Sequence, residues 1–311
     1  MKSLKQRIAS YHFPRLREKH DGLLNFSDYR YTRHKVGYGI MIAILLLFVF
    51  FALFPIVYLF ASAMKSVNEI NSNHYTFFPI NWDWGKLPIL WEKIDFGRYY
   101  LNTLIYVVGA VLCAVLFNSL LAYAIAILKP FGYRLIDKLI FLGYMIPSIL
   151  NILPLFKQIV DFGFLNADNE SYLLYLPLWL SFGANAYYYM LFKDYFERLP
   201  KYLLEAARMD GASQVKLFTR VVLPLSRPII GIVAIFAMTA SYSDFLLPYL
   251  CLNSDEFQTI MVGVYNLSGT NVLDTSEFLL LLLMSIIPQI IIFLIFQRQI
   301  MDAGATKGSK E

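Results

Sequence analysis

Glu205-Ala206-Ala207-Arg208-Met209-Asp210-Gly211-Ala212, followed a dozen residues on by Leu223-Pro224, is a polar island between long apolar runs. Its local physics predicts two short helices with a hard stop between them. Pro200 suits the first turn of a helix, where its missing N–H costs nothing. Tyr202 to Met209 holds good helix formers, and Leu203, Ala206 and Ala207 fall at i, i+3, i+4 along one stripe. Gly211 ends that helix, because a left-handed residue there carries no penalty for glycine. Ser213 caps a second helix whose stripe is Val215, Phe218 and Val222, and Pro224 and Pro228 discourage its continuation. Methyl-sized side chains on one face let another backbone come close. The stretch therefore reads either as a packing elbow or as an elbow that docks a partner.

Outward from it, the chain has a membrane protein's composition. Of 311 residues, 58% are hydrophobic and 16% charged, against about a quarter charged in soluble domains. Six apolar spans, each near the roughly 20 residues that cross hydrocarbon, are predicted at 37–63, 101–128, 135–160, 172–192, 229–250 and 278–296. They divide the chain into a basic tail (1–35), a six-helix domain (36–300) that includes the loop at about 193–227, and a short C-terminal tail (301–311). The fold class is an all-α membrane protein with six transmembrane helices and a cytoplasmic two-helix loop. The first span is too long for a signal-peptide core, so it is read as a retained anchor.

Lys and Arg set the orientation. Nine lie in the N-terminal tail, three in 129–138, seven in 193–227 and three at the C-terminus; the alternating segments hold four, one and none. The tally is 22 against 5. Both termini and the Glu205 loop are thus predicted to face the cytoplasm, in a multi-pass plasma-membrane protein. The formal charge of +5 is spread over loops between spans, a pattern that fits membrane lipid and excludes nucleic acid as a partner. Pro55, Pro147, Pro154, Pro177 and Pro288 fall inside spans and predict kinks tolerated in a bundle. Trp82 and Trp84, in the outer loop, read equally as interfacial anchors or as contacts for an external partner. Cys113 and Cys251 sit at different depths and read as free thiols.

Catalytic chemistry is not indicated. No P-loop occurs, since Gly304 to Lys310 lacks the required spacing. His12, His20, His34 and His74 lie outside the spans without metal spacing. Asp244, in Tyr242-Ser243-Asp244-Phe245, stands near the end of an apolar span, where a charge costs about 2.5–3.5 kcal/mol on insertion scales. It reads as a pathway residue, or as a hydrated or hydrogen-bonding structural group. Asn102, Asn118, Ser119, Asn151, Asn185 and Tyr187-Tyr188-Tyr189 add polar groups at membrane depth. These read as interhelical glue, with some suited to line a polyhydroxyl path.

The E-A-A, D-G-A and L-P pattern resembles the cytoplasmic loop of ABC-type carbohydrate-importer permeases of the maltose type. Further segments are similar to that family in the same order: Leu101-Asn102-Thr103-Leu104, Ser119 to Ala124, Met145-Ile146-Pro147, Pro154-Leu155-Phe156 and Gly163-Phe164-Leu165-Asn166. One departure is Tyr242-Ser243-Asp244-Phe245, where the family commonly has W-N-D-F. The resemblance implies a permease subunit that pairs with a second homologous permease and two ABC ATPase subunits, and receives a sugar from an extracytoplasmic solute-binding protein. It implies no cofactor on this chain, with ATP and Mg on the ATPases. It makes Glu205, Ala206, Ala207, Asp210, Gly211, Leu223 and Pro224 the ATPase-coupling residues. Asp244, Tyr242, Ser243, Asn185 and Asn151 are the substrate-path candidates. An oligosaccharide is the expected cargo. The same fold carrying an amino acid, peptide or polyamine is the first alternative, and a polytopic scaffold the second.

Overall fold

The computed structural model describes residues 32–72, 76–165 and 172–305, with side chains from residue 36 to residue 297. The tail before residue 32, His74, Asn166 and residues 306–311 lie outside the described residues. Among those described, regular structure is helical throughout, without a strand. Residues up to Tyr58 and from Leu59 onward form two compact units. The first holds most of α1 (Thr32–Ala63), which passes through Pro55 without a break; its Leu and Phe side chains over 44–54 are exposed.

The second unit is built around α4 (Phe96–Tyr123), which runs on through a π-turn at Ala124–Leu128. Before it come two short helices, α2 (Val67–Ile70) and α3 (Lys86–Lys93). After it come α5 (Tyr133–Tyr144), α6 (Ser148–Asp161), α7 (Tyr175–Gly183) and α8 (Ala186–Glu197). The elbow follows as α9 (Lys201–Met209), α10 (Gln214–Leu217), a π-turn at Phe218–Val222, and α11 (Leu223–Leu225). The chain then continues through α12 (Arg227–Tyr242), α13 (Leu246–Cys251), α14 (Ile260–Ser268) and α15 (Thr275–Ala305).

Among the described residues, three helices are long and apolar enough to cross a membrane: 36–63, 96–128 and 275–297. The spans expected at 135–160, 172–192 and 229–250 are each interrupted. The first of these bends by 106° between α5 and α6, where Pro147 precedes the new helix. The second stops at Gly183 and restarts after Asn185. The third stops at Tyr242, with Ser243, Asp244 and Phe245 outside helix. A further bend of 79° separates the elbow from α12 at Ser226. Counting each bent pair as one span gives up to five. Pro154 and Pro288 lie inside continuous helices, so most of the breaks are not the prolines' doing.

Side-chain amides and hydroxyls satisfy the backbone groups that these interruptions free. Asn118 Nδ2 donates to Phe182 O at 2.9 Å, and its Oδ1 accepts from Asn185 N at 3.2 Å, bridging the gap between α7 and α8. Asn102 Nδ2 donates to Glu256 O at 2.7 Å, and Thr103 Oγ1 accepts from Ile260 N at 2.9 Å, which caps α14. Small residues let α4 pack closely: a Cβ on Gly109 would overlap the Trp179 indole of α7.

Candidate functional site: an elbow and a polar chamber

The elbow is a glycine-stopped helix followed by a serine-capped one. At the end of α9, Gly211 has φ +77°. Ala212 N donates to Ala207 O and Gly211 N to Arg208 O, both at 3.0 Å. This pair of bonds is a Schellman stop, which needs a left-handed residue at the glycine position. A Cβ on Gly211 would meet no neighbouring atom. Its requirement is therefore conformational and not steric. Ser213 Oγ then accepts from Lys216 N at 3.4 Å and opens α10.

The buried stripe differs from the one predicted. Leu204 is buried, with Leu203 and Ala207 half-buried, whereas Ala206 is exposed beside Glu205. In the second helix Leu217, Phe218 and Val222 are buried, and Val215 is 72% exposed. The stripes read from the sequence therefore do not coincide with the buried faces, because a short helix offers several equivalent stripes. Tyr202 (69% exposed), Ala206 and Met209 (88% exposed) instead form an outward apolar row at i, i+4, i+7. Tyr202 and Met209 escaped the sequence reading, although their spacing was visible. Of the remaining expected coupling residues, Asp210 and Pro224 are exposed and Leu223 packs on the core.

Two tyrosines tie the elbow to the bundle. The Tyr123 hydroxyl, at the end of α4, lies 3.1 Å from both Gln214 O and Gln214 Oε1, and its ring sits 5.0 Å from that of Phe218. Tyr195 on α8 donates to Leu225 O at 2.9 Å. The elbow is thus joined to α4 and α8 by hydrogen bonds and a buried aromatic contact.

Farther along the same helices lies an open-sided cavity of about 1140 Å³. It is lined from α5 and α6 by Tyr144, Ser148, Asn151 and Gln158, from the α7/α8 gap by Ser181, Asn185 and Tyr187, and by Asn118 and Asp244. The interruptions expose these polar groups. Tyr106 donates to Asp244 Oδ2 at 2.6 Å, fixing the carboxylate. Asn185 Oδ1 caps α8 by accepting from Tyr187 N and Tyr188 N at 3.0 and 3.1 Å. The rings of Tyr144 and Tyr187 stack 6.3 Å apart.

Three of the five substrate-path candidates, Asn151, Asn185 and Asp244, thus share one cavity. The other two do not join them. Tyr242 is buried on the opposite side, donating to Ser285 O on α15 at 2.5 Å, and Ser243 is exposed outside the lining. Tyr106 and Gln158 went unnoticed in the sequence, because one looks like an ordinary core aromatic and the other like a surface amide. Among the described residues no cluster of three metal-ligating side chains occurs.

Interrupted apolar helices around a polar chamber, with an anchored elbow at one end, are the architecture of a membrane transport subunit. The family profile for the inner membrane component of binding-protein-dependent transport systems matches residues 114–302, and this chain belongs to that family. It is 31% identical over 261 residues to the diacetylchitobiose uptake system permease protein NgcG of Streptomyces coelicolor, covering 83% of this chain and 84% of that one. It is 26% identical over 262 residues to the melibiose/raffinose/stachyose import permease protein MelC of Bacillus subtilis, covering 82% and 91%. A chain in the crystal structure of a bacterial ABC transporter involved in the import of the acidic polysaccharide alginate superposes with a TM-score of 0.74 at 25% identity, over 86% of this chain and 98% of that one.

Proposed function

We propose that this chain is one membrane subunit of an ATP-driven, binding-protein-dependent importer of a neutral or charged sugar, most simply an oligosaccharide. The observation that carries the reading is the cavity. About 1140 Å³ lies just above the roughly 300–1,000 Å³ common for small-molecule sites, with room for an oligosaccharide. Its amides, hydroxyls and stacked tyrosines suit sugar O–H groups and C–H faces. Relatives named for diacetylchitobiose and for raffinose and stachyose support the same class of cargo.

In this reading six segments cross the plasma membrane, some of them broken, with both termini inside. A second homologous permease closes the open side of the cavity. Two ATPase subunits carry ATP and Mg, and an external solute-binding protein delivers the sugar. The elbow docks on one ATPase: Glu205 supplies polar contact, Ala206 allows close approach between Tyr202 and Met209, and Gly211 with Asp210 shapes the turn. Closure of the ATPases pushes the elbow, and Tyr123 and Tyr195 pass the movement to α4 and α8.

The test is affinity purification of the tagged chain in mild detergent. Recovery of a homologous permease and a P-loop ATPase, with ATP hydrolysis stimulated by oligosaccharide and binding protein, is the expected result. Glu205→Lys should abolish that stimulation while leaving the chain in the membrane. A stable monomer recovered alone would reduce the elbow to a packing device.

A further inference from the structure

The charge balance of the cavity says more about its cargo than its size does. Among the described residues that line it, Asp244 is the one acidic side chain, and no Lys, Arg or His lines it. The other polar groups, Asn118, Ser148, Asn151 and Gln158 among them, are neutral. The nearby cations do not compensate. Lys193 lines a separate depression with Lys138 and is held by Asp137, Nζ to Oδ2 at 2.5 Å. Tyr189, which does reach the cavity, donates to that same Asp137 at 2.8 Å. On this chain's side of the cavity Asp244 therefore has no cation to neutralise it, and the Tyr106 hydroxyl holds it there.

We propose that Asp244 makes the chamber charge-selective, so that it admits neutral polyhydroxyl cargo and rejects sugars bearing a carboxylate or a phosphate. This rests on the reading of the chain as a sugar-importer subunit. A carboxylate accepts hydrogen bonds from sugar hydroxyls, whereas an acidic sugar offers it a like charge. At about 6 Å and an effective dielectric near 20, that repulsion corresponds to roughly 100-fold in binding. The solved relative serves an acidic polysaccharide, so the fold alone does not set the charge of the cargo.

The experiment uses the complete co-purified transporter in nanodiscs. Equilibrium binding is measured for neutral probes (trehalose, raffinose, diacetylchitobiose) and for acidic probes of similar size (trehalose 6-phosphate, trigalacturonate). The expected result is that a neutral probe binds at least about 10-fold more tightly than the acidic ones, with a ratio that widens as salt is lowered. Asp244→Asn, which keeps an acceptor for Tyr106, should bring the ratio toward unity. Asn151→Lys, which adds a cation without touching Asp244, should shift it the same way and carries the test should Asp244→Asn fail to assemble. Acidic and neutral probes bound equally by the wild type, or a ratio unmoved in both variants, would overturn charge selection while leaving the sugar reading intact. Binding of no probe at all would overturn the sugar reading and the inference with it.

Discussion

Gly211 illustrates how one residue fixes the shape of an element. Its φ of +77° and the two bonds of the Schellman stop define the angle between α9 and α10, while open space around its Cα means that size is not at issue. Substitutions should therefore rank by left-handed cost. Asn tolerates that region, Ala is strained by about 1–2 kcal/mol, and Pro can neither adopt the φ nor supply the N–H that Arg208 O accepts. Transport coupled to ATP hydrolysis should fall in the order Gly, Asn, Ala, Pro, with membrane expression little changed. Assaying uptake beside ATPase activity in the four variants checks this, and wild-type uptake in Gly211→Pro would remove the elbow from coupling. The glycine was readable in the sequence because a single residue type answers a single backbone demand. The outward faces of Ala206 and Val215 were not, because a short helix has too few residues for periodicity to choose between stripes.

At the level of elements, hydropathy located the apolar segments well but not their continuity. A window of apolar residues reports cost in lipid and is blind to whether one hydrogen-bonded helix runs through it. Pro154 and Pro288 suggested kinks and sit in continuous helices. The breaks at Gly183 to Asn185 and at Ser243 to Phe245 contain no proline, and their stability comes from partners distant in sequence. Asn118 is the clearest of these: it serves Phe182 O and Asn185 N at once, across a separation that no local pattern reveals. Asn118→Leu, of similar size, would leave both backbone groups unpaired at about 1–3 kcal/mol each. The detergent-solubilised variant should unfold at a clearly lower temperature than wild type, and more so than Ser119→Ala, whose hydroxyl bonds only within its own helix at Leu116 O. Equal melting of the two variants would show that the α7/α8 gap is held by something else.

For the whole molecule, the decisive question is which end of the bundle faces the cytoplasm. With the six predicted spans, the Lys and Arg tally would put 22 on one side and 5 on the other, and the elbow, at the N-terminal end of α12, on the rich side. The segment from Leu252 to Asp274 lies beyond the C-terminal end of α12 and carries no Lys or Arg. A 16-residue helix separates the two, about 24 Å at 1.5 Å per residue. Val215 on the elbow and Val272 in the far segment are 72% and 54% exposed, so a cysteine at either is open to reagent without disturbing the core. Cys113 and Cys251 are first replaced by serine or alanine. In intact cells a membrane-impermeant thiol reagent should then label Val272→Cys and spare Val215→Cys, and in inverted membrane vesicles the pattern should reverse. Labelling of Val215→Cys from outside would invert the orientation and, with it, the assignment of the elbow to an ATPase. If the charge rule holds here, partial protection of Val215→Cys in inverted vesicles by the co-purified ATPase would follow as well, because the proposed function has the same elbow dock on that ATPase.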